Sequence, residues 1–417
     1  MGVMGVNIYL IIIIAILGGA YLLELIVESL NLRDAFPELP EEYVGFYDKE
    51  SYSKSQNYLR ENTHFGLITS GISTFAIVLF ILLGGFNYID RFGRSFGFGD
   101  IVTGLTFAGT VMLLAELLRI PASTYQTFII EEKYGFNKTT VKTFVLDVIK
   151  SWILVGLIGG SVFLGILWFF GKFGAAAWFY SWCAVTIFQI FMLFIAPVVI
   201  MPLFNKYVPL ENGELKSAIE NYAEAEGFRM KGLFKMDGSK RSTKTNAFFT
   251  GFGRFRRIVL YDTLISKHTV DELVAVLAHE MGHYKKKHIL KMVLISVINT
   301  GLLFFLLSLF INNGQLFAAF RMEEISIYAS FVFFGFLYVP ISTVISIAGN
   351  ILSRKYEYES DAYAVSTIGK PEVMISALKK LSVENLSNLT PHPLKIFLEY
   401  SHPPVIERVK AIRRSAR

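Results

Sequence analysis

The stretch D-E-L-V-A-V-L-A-H-E-M-G-H-Y-K-K-K-H, Asp271 to His288, decides both fold and chemistry. Its apolar run (Leu273, Val274, Val276, Leu277, Ala278) contains no proline and no helix-ending glycine, so the segment reads as a helix. Asp271 and Glu272 fall in the first turn, where negative charge suits the helix dipole. Positions four apart share a helix face, so His279 and His283 aim imidazole nitrogens at one point. Two nitrogens about 2.0–2.1 Å from a shared point make half of a tetrahedral zinc shell. Glu280, next to the first histidine, stands beside the remaining position, where a carboxylate can take a proton from the attacking water.

Outward from this helix the chain is too apolar for an ordinary soluble enzyme: 53% of its 417 residues are hydrophobic and only 18% charged. The excess is gathered into spans of bilayer length. These run from about Val6 to Val27, Phe65 to Gly84, Ile101 to Leu118, Trp152 to Phe170, Trp178 to Leu203, Ile289 to Ile311 and Ser326 to Leu352. The first lacks a basic start and is too long for a signal peptide, so it reads as a retained helix. Arg119 and Pro121 close the third, and Pro197 and Pro202 kink or end the fifth. The single cysteine, Cys183, excludes an intrachain disulfide framework and a cysteine zinc site.

Residues 204–287 are soluble in character. Glu211 to Gly227 reads as an amphipathic helix ended by glycine, and Met236 to Leu264 as a small hairpin or meander. The His279 helix runs through Lys285, Lys286 and Lys287 almost directly into the sixth span, which places it at the membrane face. The expected organisation is a membrane domain over 1–203, a zinc-protease segment over 204–288, two further membrane helices over 289–352 and a helical tail over 353–417. Segments 31–64, 119–151 and 204–287 share a side with that tail and carry most of the Lys and Arg, while the opposite loops hold only Arg91, Arg94, Lys172 and Arg321. The positive-inside rule then turns the His279 helix and the C-terminus toward the cytoplasm. In a membrane chain the net charge of +6 reports these loops rather than nucleic acid.

A zinc helix of this type needs a third protein ligand. Asn350 to Ala364, N-I-L-S-R-K-Y-E-Y-E-S-D-A-Y-A, offers Glu357 and Glu359, with Asp361 one turn beyond Glu357 on the same face. One carboxylate can bind metal while another holds an imidazole N–H. Arg354, three residues before Glu357, is placed to orient a carboxylate. The residues alone leave this assignment open.

Eight stretches in unbroken order resemble the CAAX prenyl protease 1 family of integral-membrane zinc metalloproteases. They are E-E-K-Y-G-F-N-K-T-T (Glu131–Thr140), P-L-F-N-K (Pro202–Lys206), D-G-S-K-R-S (Asp237–Ser242), N-A-F-F-T-G-F (Asn246–Phe252), R-I-V-L-Y-D-T-L (Arg257–Leu264), L-A-H-E-M-G-H-Y (Leu277–Tyr284), S-R-K-Y-E-Y-E-S-D-A (Ser353–Ala362) and S-H-P-P-V-I-E-R (Ser401–Arg408). The resemblance covers essentially the whole chain. It implies an all-α membrane protein of about seven transmembrane helices enclosing a chamber, capped by a zinc domain with a small β element. It further implies one Zn2+ per chain held by His279, His283 and Glu357, with Glu280 as general base and Asp361 behind the ligands. Asn246, with Ala247 and Phe248, would lie on the strand that pairs with substrate, and His402 and Arg408 would contact substrate or the tetrahedral intermediate. Two positions depart from the family pattern: Lys244-Thr245 stand where His-Ser is common before the strand asparagine, and Ser360 replaces an alanine.

The implied activity is peptide-bond hydrolysis on membrane-associated substrates, with removal of the last three residues of prenylated proteins. Partners would be a peptide or protein, with or without a prenyl group, and the lipid bilayer. The rival within the enzyme class is a quality-control protease without a prenylated substrate. The rival outside it is a non-catalytic seven-span transporter or receptor, which predicts charged groups in mid-span that are scarce here. Compact connections at 31–64 and 264–271 favour a bacterial inner membrane, with the endoplasmic reticulum as the eukaryotic counterpart.

Overall fold

The computed structural model describes residues 7–35, 38–228, 230–250 and 257–415. Val6, Pro37, Gly251 and Phe252, used above, lie outside them. Asn7 opens α1 (Ile8–Arg33), its side chain accepting from the Tyr9 and Leu10 amides. This helix packs against α2 (Lys49–Leu82), and the short α3 (Gly85–Arg94) leads into α4 (Asp100–Tyr125). Two helices outrun their expected spans. α2 starts at Lys49 rather than near Phe65, and α4 passes through Pro121 into a π turn, Gln126–Glu131, instead of closing at Leu118. Pro121 removes one backbone donor, and α4 runs on through it to Tyr125 because the turns on either side keep their own hydrogen bonds.

α5 (Val141–Leu154) and α6 (Gly160–Phe173) form one rod through a second π turn, Val155–Gly159. Gly174, with φ +52° and ψ −126°, then folds the chain back into α7 (Ala177–Ile195), which packs against α6. By length and apolarity six helical runs are able to cross a membrane, and Val141–Leu203 is one of them. The fold-back at Gly174 makes two crossings of that run, which gives seven among the described residues.

Beyond α7 comes a mixed sheet in the order β1-β2-β4-β3, formed by β1 (Tyr207–Pro209), β2 (Gly232–Met236), β3 (Ala247–Thr250) and β4 (Arg257–Tyr261). The hairpin expected within 236–264 is present as β3 and β4, with Ala247 opposite Leu260, while β2 lies parallel to β4. Between β1 and β2 sits α8 (Glu214–Ala225), followed by Gly227 at φ +62°. Its Ile219 and Ala223 join Leu233, Ile258, Leu260, Leu273, Leu277 and Met281 in one apolar core. The short α9 (Asp262–Ile265) leads into α10 (Val270–Lys285).

α10 does not continue into the next span. Lys287 takes a left-handed conformation, φ +59°, and α11 (His288–Phe310) starts afresh. After α12 (Gly314–Ala319) comes α13 (Ile327–Ile368), 42 residues long, or about 63 Å at 1.5 Å per residue. That is about twice the ~30 Å hydrocarbon core, so its C-terminal part stands beside α10 outside the lipid. One rigid rod therefore crosses the expected boundary at 352/353. α14 (Pro371–Glu384), α15 (Pro393–Glu399) and α16 (Val405–Ser415) close the chain around it.

α10 and α13 approach closely because small residues face each other. Ala275, Ala278 and Ala364 are fully buried between them. A Cβ on Gly282 would stand 2.9 Å from the Ser360 Cα, a backbone atom that cannot swing aside. Gly282→Ala is therefore expected to prise the two helices apart. The cost is about 1–3 kcal/mol, the usual range for overpacking, read as a lower unfolding midpoint.

Candidate active site

α10 is anchored at its start by a capping box. The Thr269 hydroxyl accepts from the Glu272 amide, and the Glu272 carboxylate accepts from the Thr269 amide. Glu272 does more than complement the helix dipole: Ser376 Oγ and Lys380 Nζ of α14 also donate to it, at 2.7 and 2.9 Å. The helix is thus fixed at one end by α14 and along its length by α13.

On the α13 side the expected residues converge. His279 Nε2 and His283 Nε2 lie 3.2 Å apart, and the Glu357 carboxylate stands 3.4 Å from the first and 3.2 Å from the second. Four ligands at about 2.0–2.1 Å around a tetrahedral ion are separated by roughly 3.3–3.4 Å, and the two imidazole nitrogens and the carboxylate, which turns Oε2 to His279 and Oε1 to His283, have that spacing. Among the described residues this is the group of His, Cys, Asp and Glu side chains that can hold a metal ion.

The charges agree with the geometry. Glu357, Asp361 and Arg408 are all buried. Two carboxylates against one guanidinium leave an excess negative charge in a low dielectric, which favours a cation. Burial lowers the pKa of His279, but hydrogen bonds to Asp361 and Glu357 outweigh it and raise it to about 9, so the carboxylates draw positive charge to this point, and a metal ion there takes the place of the Nε2 proton. The Asp361 Oδ1 lies 2.8 Å from His279 Nδ1. A proton on Nδ1 leaves the Nε2 lone pair facing the shared point.

Glu280 is partly open to the cleft, and no hydrogen bond or ion pair engages its carboxylate among the described residues. Burial pushes its pKa up, against the pull of both histidines. A carboxylate that is both free and more basic than usual suits a proton acceptor.

One expectation is corrected. Arg354 does not orient Glu357; its guanidinium donates to the Ile396 and Tyr400 carbonyls, at 2.9 and 2.5 Å, and ties α13 to α15. Arg408 borders the cleft, with its guanidinium buried against the acidic residues of the site. Its Nε and Nη2 donate to Asp361 at 2.8 and 2.6 Å, and its Nη1 lies 3.2 Å from Glu357. Those carboxylates, Asp361 first, raise its pKa against the effect of burial. His402 has an exposed ring whose Nε2 is 3.4 Å from Glu357, so its free face meets the cleft.

The cleft has a volume of about 590 Å³. Asn246, Ala247 and Phe248 line one wall and His402 another, while Leu193 of α7, Pro197 just beyond it and Ile289 of α11 bring membrane-helix ends to its floor. β3 is the edge strand of the sheet. The Tyr261 amide donates to the Asn246 carbonyl, so by antiparallel alternation the Ala247 and Phe249 backbone groups point to the open edge. Lys244 points away from the cleft, toward Tyr58 and Glu131 at 2.9 and 3.0 Å. Thr245 is bonded through its backbone to Asn385. The Lys244-Thr245 departure from the family pattern therefore braces the root of β3 without lining the cleft.

Sequence reasoning left His288 unassigned and gave Glu359 no more than candidacy as a ligand. The structure puts His288 Nδ1 3.2 Å from His283 Nδ1, and His288 Nε2 3.0 Å from Glu359. The remaining histidines stand elsewhere. His392 caps α15, His64 lines a separate cleft, and His268 is buried between Glu272 and Glu384.

Known proteins were compared with this chain. Residues 30–206 match the family model described as CAAX prenyl protease N-terminal, five membrane helices, and residues 209–416 match peptidase family M48. CAAX prenyl protease 1 of Saccharomyces cerevisiae is 35% identical, with 90% of this chain and 88% of that protein covered. The CAAX prenyl protease 1 homologs of Arabidopsis thaliana and Homo sapiens are 35% and 32% identical, each over 90% of this chain and over 90% and 88% of their own lengths. The crystal structure of S. mikatae Ste24p superposes with a TM-score of 0.92 at 34% identity, covering 97% of this chain and 99% of that one.

Proposed function

This chain belongs to the CAAX prenyl protease 1 family, and on that premise we propose that it trims the C-terminal three residues from prenylated proteins by zinc-assisted hydrolysis. That it is a multi-pass membrane metalloendopeptidase of family M48 follows from the matches above. The same matches set aside the transporter or receptor reading. The observation that carries the finer proposal is the convergence of His279, His283 and the Glu357 carboxylate within 3.2–3.4 Å of one another beside a free strand edge, in a cleft floored by membrane-helix ends. A substrate held to the bilayer by a lipid reaches such a floor with its tail still in the membrane.

His279, His283 and Glu357 would hold the ion. Bound there, zinc supplies an acidified water and a polarised scissile carbonyl. Glu280 accepts the water proton and returns it to the leaving amine. The open edge of β3 takes the substrate in extended form by main-chain hydrogen bonds, which asks little of its sequence. His402 donates toward the developing oxyanion from the open side of Glu357. Arg408 and Asp361 act from behind, fixing the charge of Glu357 and the tautomer of His279.

The orientation we adopt puts this cleft and the C-terminus in the cytoplasm, from the distribution of Lys and Arg. The four-part organisation is kept, with α13 as the member shared by the last two parts. Compact connections do not argue for a bacterial source, because the yeast, plant and human relatives are matched over 88–90% of their own lengths.

The test compares a farnesylated CAAX peptide with its unmodified counterpart on the purified protein, with and without chelator. The expected result is cleavage of the lipidated peptide alone, lost with chelator and restored by zinc. Cleavage indifferent to chelator sinks the zinc mechanism. Equal cleavage of both peptides favours the quality-control reading instead.

A further inference from the structure

His279 has an evident support in Asp361. Its partner ligand, His283, has none on α10 itself. Five residues along a continuous helix rotate by about 140°, so His288 would face away from His283 if α10 ran on. The left-handed residue Lys287 breaks the helix and brings His288 back alongside. The ring is then 2% exposed and stacked on Tyr356 of α13, with centroids 4.0 Å apart and planes 10° from parallel. A buried, stacked ring cannot rotate freely, so both its nitrogens have fixed partners.

Those partners impose one direction on the protons. With His283 Nε2 turned to the ligand triangle as a lone pair, His283 Nδ1 carries the hydrogen and donates to His288 Nδ1, 3.2 Å away. His288 Nδ1 must then be the acceptor, so its hydrogen sits on Nε2 and is donated to Glu359 Oε2 at 3.0 Å. Each group in the series carboxylate, imidazole, imidazole has one role and no alternative.

We infer that His288 and Glu359 are positioning residues for the metal, fixing the tautomer and ring orientation of His283 as Asp361 does for His279. The inference rests on the metal reading of the His279–His283–Glu357 triangle. It assigns the two faces of α13 separate duties: Glu357 and Asp361 serve the ion and His279, while Glu359 serves His283 through His288. It also gives the strained backbone at Lys287 a purpose, since a helical residue there would withdraw His288.

The experiment measures zinc affinity on the full-length purified protein by competition with a chromophoric chelator. His288→Phe keeps a ring to stack on Tyr356 but removes both hydrogen bonds. His288→Gln keeps them, because its Oε1 accepts from His283 and its Nε2 donates to Glu359. Glu359→Ala removes the terminal acceptor from a partly exposed position. Affinity is expected to fall about 10–100-fold in H288F and E359A, the usual loss when a ligand's supporting partner goes, and to recover in H288Q. A cobalt-loaded sample should show a changed ligand-field spectrum in H288F and a native one in H288Q. Wild-type affinity in H288F, or an H288Q protein as weak as H288F, overturns the inference. Should H288F not fold, E359A and H288Q decide it by the same criteria. A wild-type protein that binds no zinc removes the metal reading and this inference with it, and is distinguished by that control alone.

Discussion

Glu280→Gln is expected to lower the rate of peptide hydrolysis by about 10²–10⁴-fold, the contribution of a positioned general base, while leaving zinc bound at one per chain. The substitution preserves size and shape and removes only the capacity to take a proton. Glu280 lies outside the ligand triangle and has no hydrogen-bond or ion-pair partner among the described residues, so neither the ion nor the fold depends on its charge. Its position is nonetheless constrained: it follows His279 on a helix locked by a capping box at Thr269 and by the close approach at Gly282. Glu280→Asp should therefore also be slow, because α10 cannot advance to compensate for a shorter side chain. Turnover and metal content measured on the same sample separate the outcomes. Full activity in E280Q would show that the base is another group, and loss of zinc would show that Glu280 is a ligand.

The sequence carries the parts of this site that depend on period and leaves out the parts that depend on tertiary turns. The spacing of His279 and His283 is a helix period, and so is that of Glu357 and Asp361, which is why both pairs could be placed on shared faces from the residues alone. The choice of Glu357 over Glu359 was different: both are carboxylates on one helix, and resemblance made the choice. The structure shows the physical difference, since residues two apart on a helix point to different sides and Glu359 meets His288 instead. His288 was not readable because its placement depends on Lys287 adopting positive φ, a conformation that lysine does not advertise. Resemblance alone brings Arg408 to the site; its burial against Asp361 is a contact between α16 and α13 that no local pattern encodes. The β3–β4 hairpin is legible in the sequence, but the pairing of β2 with β4 is not, since it joins segments separated by a turn and an edge strand. The membrane helices are legible from their apolar length, but the end of the third is not, since α4 continues through Pro121 where a proline ordinarily marks a boundary.

Glu357→Ala should abolish turnover and reduce zinc affinity by more than the 10–100-fold that loss of a supporting residue costs, yet leave the protein folded. The charge balance behind the site is the reason. Removing Glu357 leaves Asp361 and Arg408 joined by two hydrogen bonds of 2.8 and 2.6 Å, one negative and one positive charge with nothing in excess. The variant should thus be monodisperse in detergent, with an unfolding midpoint near that of the metal-free wild type. Arg408→Leu is the opposite case. It strands two carboxylates in a buried site, and breaking such a pair from one side costs about 3–5 kcal/mol. Part of that cost returns when a dication binds, so zinc should raise the unfolding midpoint of R408L more than that of wild type. In E357A, zinc should raise it hardly at all. Midpoints measured with chelator and with zinc for the three proteins check the whole scheme. If E357A is stabilised by zinc as strongly as wild type, the third ligand lies elsewhere. If R408L shows no added dependence on zinc, the guanidinium is not the counter-charge that the site was built around.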